Sequence, residues 1–481
     1  MKVLLLNPPF TDYGGLEGHG GKSLPLNLAY LAGYLREKRP DIEIKVLDCE
    51  ALRLTYSKIK EKIREIKPDL VGITAPTPAF TQVLEVCRII KEISPKIITV
   101  VGGPHPTALP IETTSEKNID VSIVHEGEIS FTELVEAIDK NKPLAKVKGI
   151  VFKDKKGNVH QTERRELIED LDSLPFPARD LFPLDLYFPP PTKRMSNKKS
   201  GNMVSSRGCC YQCTFCMASF MWQRRARFRN IKNVVDEIEE CINKYGIGEF
   251  NFHDELFTMN RERTIEFCRE VKRRNLDIVW VCMCRVDFVD EELLKEMKEA
   301  GCRKIGFGYE SGDQGILDHM KKRVKVEKAL EATKLVKKAG IKTAGAFMFG
   351  MIGETEETIR KSIDLAKKLN TDTMAFFVAS PYPGTEFYYE AKKLGYFRPD
   401  FKWGDFSLVS NNRPALNLPD LPPERILYWQ KRAYQEYYLR PRYIWSKITG
   451  IRNLVELKNL YNGSKIFLRL KKLASNEDKP Y

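Results

Sequence analysis

The stretch Cys209-Cys210-Tyr211-Gln212-Cys213-Thr214-Phe215-Cys216 holds four of the chain's 11 cysteines. Cys209, Cys213 and Cys216 stand in a C-x3-C-x2-C spacing. Three thiolates on one compact loop suit three irons of a four-iron cluster, because thiolate is the usual cluster ligand. The fourth iron is then open to a ligand that is not protein. Zinc normally takes four protein ligands, often on paired C-x2-C arms, and no matching second pair lies nearby. A group of buried thiols is the other alternative. Cys210 falls outside the spacing and reads as a bystander. An odd cysteine count in a long chain points to metal or redox chemistry in a reducing cytoplasm, not to a disulfide framework.

A loop of this kind needs a scaffold. From 202 to 380 the pattern alternates strand and helix, with strands expected at 202–206, 249–253, 278–284, 304–308, 342–348 and 374–378. Six such units suit a partial (βα)6 barrel, with chemistry at the carboxyl ends of its strands. The first 140 residues alternate in the same way. Strands are expected at 2–6, 42–47, 70–74, 97–102 and 121–124, and amphipathic helices at 26–38, 57–66, 80–93 and 130–140. That is the pattern of a doubly wound parallel sheet, whose ligands sit beyond the carboxyl ends of the strands. Between the two regions, 148–153 and 158–162 read as a hairpin joined by Asp154-Lys155-Lys156-Gly157. Pro175-Phe176-Pro177 and Pro189-Pro190-Pro191 then stiffen a linker. The expected organisation is α/β: a first domain at 1–145, hairpin and linker at 146–195, barrel at 196–400, and a helical region at 401–481.

Composition narrows the classes. The chain has 481 residues, 42% hydrophobic and 30% charged, with a net charge of +14. This is ordinary globular composition with a basic excess. No apolar run approaches the roughly 18 residues of a spanning helix, and the apolar run at the start is too short for a signal peptide. The expected location is cytoplasmic. Much of the basic excess lies between Lys431 and Leu473, where 11 Lys and Arg face only Glu436 and Glu456 among interleaved aromatics. Three readings stay open there: an anionic membrane surface or lipid-like substrate, nucleic acid, and a helical face packed on the barrel. Gly15 to Ser23 imitates a phosphate loop. However, Leu16 stands where its first glycine should be, and Pro25 stands where its helix should already run.

With Phe215 before its last cysteine, the loop resembles the signature of the radical S-adenosylmethionine (radical SAM) superfamily. The resemblance implies a 4Fe-4S cluster whose open iron chelates SAM, reductive cleavage of SAM, and hydrogen abstraction by the 5′-deoxyadenosyl radical. Later segments resemble the family's SAM-binding strands, in order. Phe252 to Thr258 offers Asp254 or Glu255 to the SAM ammonium, with no basis for choosing between them. Arg285 could pair with the SAM carboxylate. Gly306 to Gly312 brings Glu310 and Ser311 toward the ribose. Phe347 to Thr355 places Gly350 near the adenine, and Pro381 to Thr385 resembles the closing motif. His253 and His319 read as structural. Cys282 and Cys284 share one face of a strand and read as buried small residues.

The first domain resembles the cobalamin-binding domain that precedes many radical SAM barrels. The resemblance rests on Asn7-Pro8-Pro9, Leu26 to Ala32, Val71 to Thr74, Val101 to Pro106 and Glu126-Gly127-Glu128. Asn7, Thr74, Gly102, Gly103 and Gly127 are the implied cobalamin contacts. The Asp-x-His-x-x-Gly motif that supplies a cobalt histidine is missing, and His105 reads as a loop-capping residue. The layout is closest to the anaerobic magnesium-protoporphyrin ester cyclase-like group. It implies an enzyme that functionalises an unactivated carbon, with methyl transfer as the commoner chemistry and cyclisation or rearrangement as the alternative. A non-enzymatic cobalamin sensor is a further alternative. The implied partners are a small or lipid-like substrate and an electron donor such as ferredoxin or flavodoxin. Nucleic acid is disfavoured, since the first domain has only Cys49 and Cys87 and so lacks the second triple-cysteine cluster of RNA-modifying relatives.

Overall fold

Two sheets organise the chain in a computed structural model that describes residues 1–10, 21–190, 193–406 and 413–449. The first comprises β1 (Lys2–Asn7), β2 (Glu43–Asp48), β3 (Leu70–Thr74), β4 (Ile98–Gly102), β5 (Val121–Ile123), β6 (Ile150–Lys153) and β7 (Val159–Gln161). They lie in the order β2-β1-β3-β4-β5-β6-β7. The first five are parallel, and β6 and β7 are antiparallel. Val3 and Leu5 face one apolar cluster with the helices Leu26–Lys38 and Glu128–Asp139. Leu4 and Leu6 face another, with Tyr56–Ile66 and Phe80–Ile93. Alternate side chains thus enter opposite cores, which is why β1 is a continuous apolar run.

The second sheet comprises β8 (Lys199–Met203), β11 (Ile247–Phe252), β12 (Val279–Cys284), β13 (Cys302–Glu310), β14 (Lys342–Phe349) and β15 (Thr373–Val378). All neighbours are parallel and follow chain order, giving the expected six-stranded partial barrel. Phe252, Phe267 and Trp280 pack edge to face beneath its helices. Cys282 and Cys284 belong to that same core, their sulfurs 3.7 Å apart. On the other face the Met283 side chain lies across Gly306, its sulfur 2.5 Å from where a Cβ would stand, with Ala344 beyond it at 3.8 Å.

The structure revises several expectations. The first barrel strand is Lys199–Met203, earlier than expected. Ser206–Arg207 leaves the barrel and pairs as β9 with β10 (Arg227–Phe228) in an antiparallel ribbon. The hairpin after the first five strands joins the first sheet through β5. Two short helices, Pro104–Ala108 and Pro110–Ser115, fill the space after β4. Among the described residues of the basic tail, Tyr434, Tyr437, Tyr438 and Tyr443 turn inward, whereas Trp445 stays 68% exposed. The Tyr437 and Tyr438 hydroxyls donate to the Thr371 and Met374 carbonyls, and Tyr434 accepts from Phe376 N–H. The helix Pro423–Tyr438 is therefore part of the barrel wall. The rest of the basic tail, from residue 450, lies outside the described residues, as does most of the Gly15 to Ser23 segment. Lys22, from that segment, donates to the Glu50 and Ala51 carbonyls.

Candidate active site

The β9–β10 ribbon frames the cysteine loop. Gly208, at φ 99°, opens the loop, and a Cβ there would collide with the Arg225 carbonyl. Only glycine tolerates that combination. The two acids after β11 brace the loop's base. Asp254 accepts from Ser205 N–H (3.0 Å) and from the Ser205 and Ser206 hydroxyls. Glu255 accepts from Gly208 N–H (2.9 Å) and from the Trp222 indole. On the far side, Thr214 N–H donates to the Met320 carbonyl (3.0 Å), and the Thr214 carbonyl accepts from Phe387 N–H (2.9 Å). Phe215 packs against the barrel core.

Cys209, Cys213 and Cys216 are partly exposed and unpaired, whereas Cys210 is fully exposed. Burial pushes the Cys209 thiol up to about 11 and raises those of Cys213 and Cys216, and neighbouring thiols add to the rise at Cys209 and Cys216. Binding iron as thiolate offsets that cost. Among the described residues no three His, Cys, Asp or Glu side chains converge on one ion.

Charged groups from the next two strands gather beside Cys213, whose thiol feels Lys322, Glu310 and Arg285. Arg285 stacks over Tyr211 at 3.7 Å, with Nε 2.8 Å from Asp287 and Nη2 donating to the Arg323 carbonyl. Glu310, at φ 65°, pairs with Lys322 Nζ at 2.9 Å. Ser311 and Gly350 lie one layer away. Ser311 Oγ accepts from Asp313 N–H at 3.2 Å, and Gly350 N–H donates to Glu354. Burial pushes the Glu354 carboxyl up to about 8, with Asp313 adding to the rise.

The carboxyl ends of the first sheet are of a different kind. Asn7 donates to Asp48 at 2.9 Å, and Thr74 Oγ1 accepts from Asn27 at 2.7 Å. Gly103, at φ 111°, passes against the backbone of Ala75. A Cβ on Gly102 would meet only Ile123, at 3.8 Å, so a flat ligand has access to the backbone there. His105 is 1% exposed, stacked on Phe80 at 3.7 Å with the Trp403 edge at 4.9 Å. Burial pushes its imidazole down to about 3. His105 is a packed neutral ring and not an available cobalt ligand. Gly127 caps the helix Glu128–Asp139.

The residues that join the two halves were not singled out in the sequence. Arg207 and Arg227 are cross-strand partners in the ribbon, and cross-strand partners project on one side. Arg207 reaches Glu126 (2.7 Å) and Glu128 (2.6 Å), while Arg227 reaches Glu126 (2.7 Å) and the Ile168 carbonyl. Burial alone would raise the Glu126 carboxyl, but the two guanidiniums hold it below its usual value. Beside this seam, His125 Nδ1 lies 3.1 Å from the Met221 carbonyl, in the short helix that follows Cys216. The motif Glu126-Gly127-Glu128 was visible, but its partners lie about 80 and 101 residues away and no local spacing reveals them.

The seam brings the carboxyl end of β5 against the cysteine loop, and comparison with known proteins carries the same pairing of domains. The chain matches the B12 binding domain over residues 19–135 and the Radical SAM superfamily over residues 203–366. It is 35% identical to an uncharacterized methyltransferase of Pyrococcus horikoshii over 443 residues, 92% of this chain and 93% of that one. It is 34% identical to the anaerobic magnesium-protoporphyrin IX monomethyl ester cyclase of Rubrivivax gelatinosus, covering 81% of this chain and 70% of the relative. The chain belongs to the cobalamin-binding radical SAM enzymes. The family's cofactors are a 4Fe-4S cluster, SAM and cobalamin. The fold is shared with the radical SAM methyltransferase TsrM of Kitasatospora setae. That structure has a TM-score of 0.71 at 20% identity, covering 92% of this chain and 90% of TsrM.

Proposed function

We propose that this radical SAM enzyme transfers a methyl group to an unactivated carbon of a small-molecule substrate. The observation that carries the reading is the seam, because Glu126, Arg207 and Arg227 fix the cobalamin-domain strand ends beside the cysteine loop. Cobalamin and SAM held at these two ends would face one cleft. The relative named a methyltransferase over nearly its whole length supports the same direction. Cobalamin supplies a transferable methyl group, and the cluster with SAM supplies a carbon-centred radical.

Within that cleft we assign roles to the chain's own residues. Cys209, Cys213 and Cys216 hold the cluster. Glu255, less buried than Asp254, is the acid that meets the SAM ammonium, and Asp254 shapes the loop from below. Arg285, held flat by Tyr211, presents its Nη1 to the SAM carboxylate. Glu310 and Ser311 receive the ribose, and Gly350 leaves room for the adenine. Phe215 shields the loop from water. In the first domain Asn7, Thr74, Gly102, Gly103 and Gly127 form an uncharged floor for cobalamin. Gly102 gives the closest backbone approach.

The test is anaerobic reconstitution with iron, sulfide and cobalamin, then dithionite and SAM, with 5′-deoxyadenosine and S-adenosylhomocysteine measured together. Both products, the second only with cobalamin, is the expected result. 5′-Deoxyadenosine alone would favour the cyclase reading, which the Rubrivivax relative supports. Neither product from a protein with an intact cluster would overturn the proposal.

A further inference from the structure

We propose that the outer face of the helix Glu386–Lys393, together with the turn at His319–Lys321, docks a small acidic ferredoxin that reduces the cluster. The inference rests on the radical SAM reading, which requires an electron from outside the chain.

Three observations carry it. First, this face is wired to the cysteine loop. Thr214 sits between Cys213 and Cys216, its N–H bonded to the Met320 carbonyl and its carbonyl to Phe387 N–H. Both partners belong to the elements that form the face, so little protein separates it from the loop.

Second, the face has the composition of an interface. Phe387, Tyr388 and Ala391 turn inward. Tyr389 stays 55% exposed and Leu394 46% exposed, an aromatic and an aliphatic anchor on the outside. Lys392 and Lys393 flank them, also exposed. Spacing of three and four residues places Tyr389, Lys392 and Lys393 on one strip of the helix. An apolar centre with a polar, charged rim is the usual anatomy of a protein–protein contact.

Third, the charge is one-sided. Glu386 pairs with Lys321 at 2.5 Å and Glu390 lies 3.3 Å from the His319 ring, so on this helix and turn Lys321, Lys392 and Lys393 outnumber Glu386 and Glu390. Among the described residues Lys392 and Lys393 make no ion pair, so the face presents uncompensated positive charge. That charge complements an acidic partner and steers its approach. A reduced ferredoxin is a low-potential one-electron donor. One electron leaves the reduced ferredoxin cluster and enters the cluster held by Cys209, Cys213 and Cys216. The ferredoxin is oxidised by one electron, and no bond or proton moves.

The test uses the full reconstituted chain and an oxidised acidic ferredoxin, with binding measured by calorimetry at low and moderate salt. The pair K392E/K393E should weaken binding by about tenfold or more, and Tyr389→Ala should weaken it further. The control pair K155E/K156E makes the same charge change on the hairpin turn of the first domain and should bind like the parent. Stopped-flow absorbance should show slower cluster reduction by reduced ferredoxin in K392E/K393E, with dithionite reduction unchanged. Parent-like binding by K392E/K393E, or equal weakening by both pairs, would overturn the proposal. A parent cluster that dithionite cannot reduce would contradict the radical SAM reading instead, and the binding measurement would still decide the docking face.

Discussion

Beyond β3 and β4 the prominent groups are neutral: Thr74, the bare backbone at Gly102 and Gly103, and a His105 ring held uncharged by burial. Beyond β12 and β13 they are charged: Arg285, Glu310 and Lys322 beside three thiols. The first arrangement suits recognition by shape, with backbone and small side chains open to a broad ligand. The second suits recognition by charge, as a ligand with both an ammonium and a carboxylate would need. The two ends meet at Glu126, whose carboxylate belongs to the first sheet while its partners belong to the ribbon around the cysteines. One fold principle, ligands at the carboxyl ends of parallel strands, thus serves two kinds of recognition within one cleft.

The comparison breaks most visibly at the thiols. Cys213→Ala should abolish the cluster absorption and lower 5′-deoxyadenosine formation by about a thousandfold or more, because a cluster ligand is lost outright. Cobalamin binding should persist, since the first sheet is untouched. Cys210→Ala should keep the parent iron content.

At the seam, Glu126→Gln leaves two buried guanidiniums short of a counter-charge. Breaking such a pair costs about 3–5 kcal/mol, to be read by denaturant unfolding at neutral pH. Glu128→Gln should cost less, because Arg207 keeps Glu126.

The neutral floor gives a pH signature. His105 stays unprotonated in the fold down to about pH 3, whereas its ordinary value is 6.5. Below 6.5 the unfolded chain binds a proton that the folded chain does not. The contribution of His105 to stability is therefore complete above 6.5 and lost as pH falls toward 3, at up to about 1.4 kcal/mol per pH unit. His105→Phe keeps the stacking on Phe80 and should flatten that slope in unfolding curves taken between about pH 6.5 and about pH 5.

Adjacent glycines sharpen the contrast further. Gly103→Ala should cost about 1 kcal/mol or more in folding stability, because φ 111° disfavours a side chain and Ala75 is close. Gly102→Ala should change stability by less than about 0.5 kcal/mol. It should nonetheless weaken cobalamin binding, measured by spectral titration, because its methyl group enters the space left for the ligand.

Much of this was legible in the sequence because it is local or periodic. The cysteine spacing, the alternation of strand and helix, and the apolar runs of β1 and β3 each show themselves within a few residues. The β9–β10 ribbon was not legible. Ser205 and Ser206 read as the end of a barrel strand, and only Asp254, nearly 50 residues on, shows why the chain turns there. For the tyrosines of the basic tail a helical face packed on the barrel, a lipid surface and nucleic acid were all open readings, and the partners on β15 bear out the packed face. His105 stood within a glycine-rich turn, and nothing nearby foretold that Phe80 and Trp403 would enclose it. Long-range partners decide such cases, and one sequence does not contain their pairing.

The central claim is that the two strand-end surfaces share one cleft. The most direct test is the electron paramagnetic resonance of cob(II)alamin bound to the reconstituted protein, with the cluster oxidised and then reduced. The reduced, paramagnetic cluster should broaden the cob(II)alamin signal or speed its relaxation, and Cys213→Ala should remove the effect. A cob(II)alamin signal identical in both cluster states would contradict it, since the two surfaces would then be too far apart to act together.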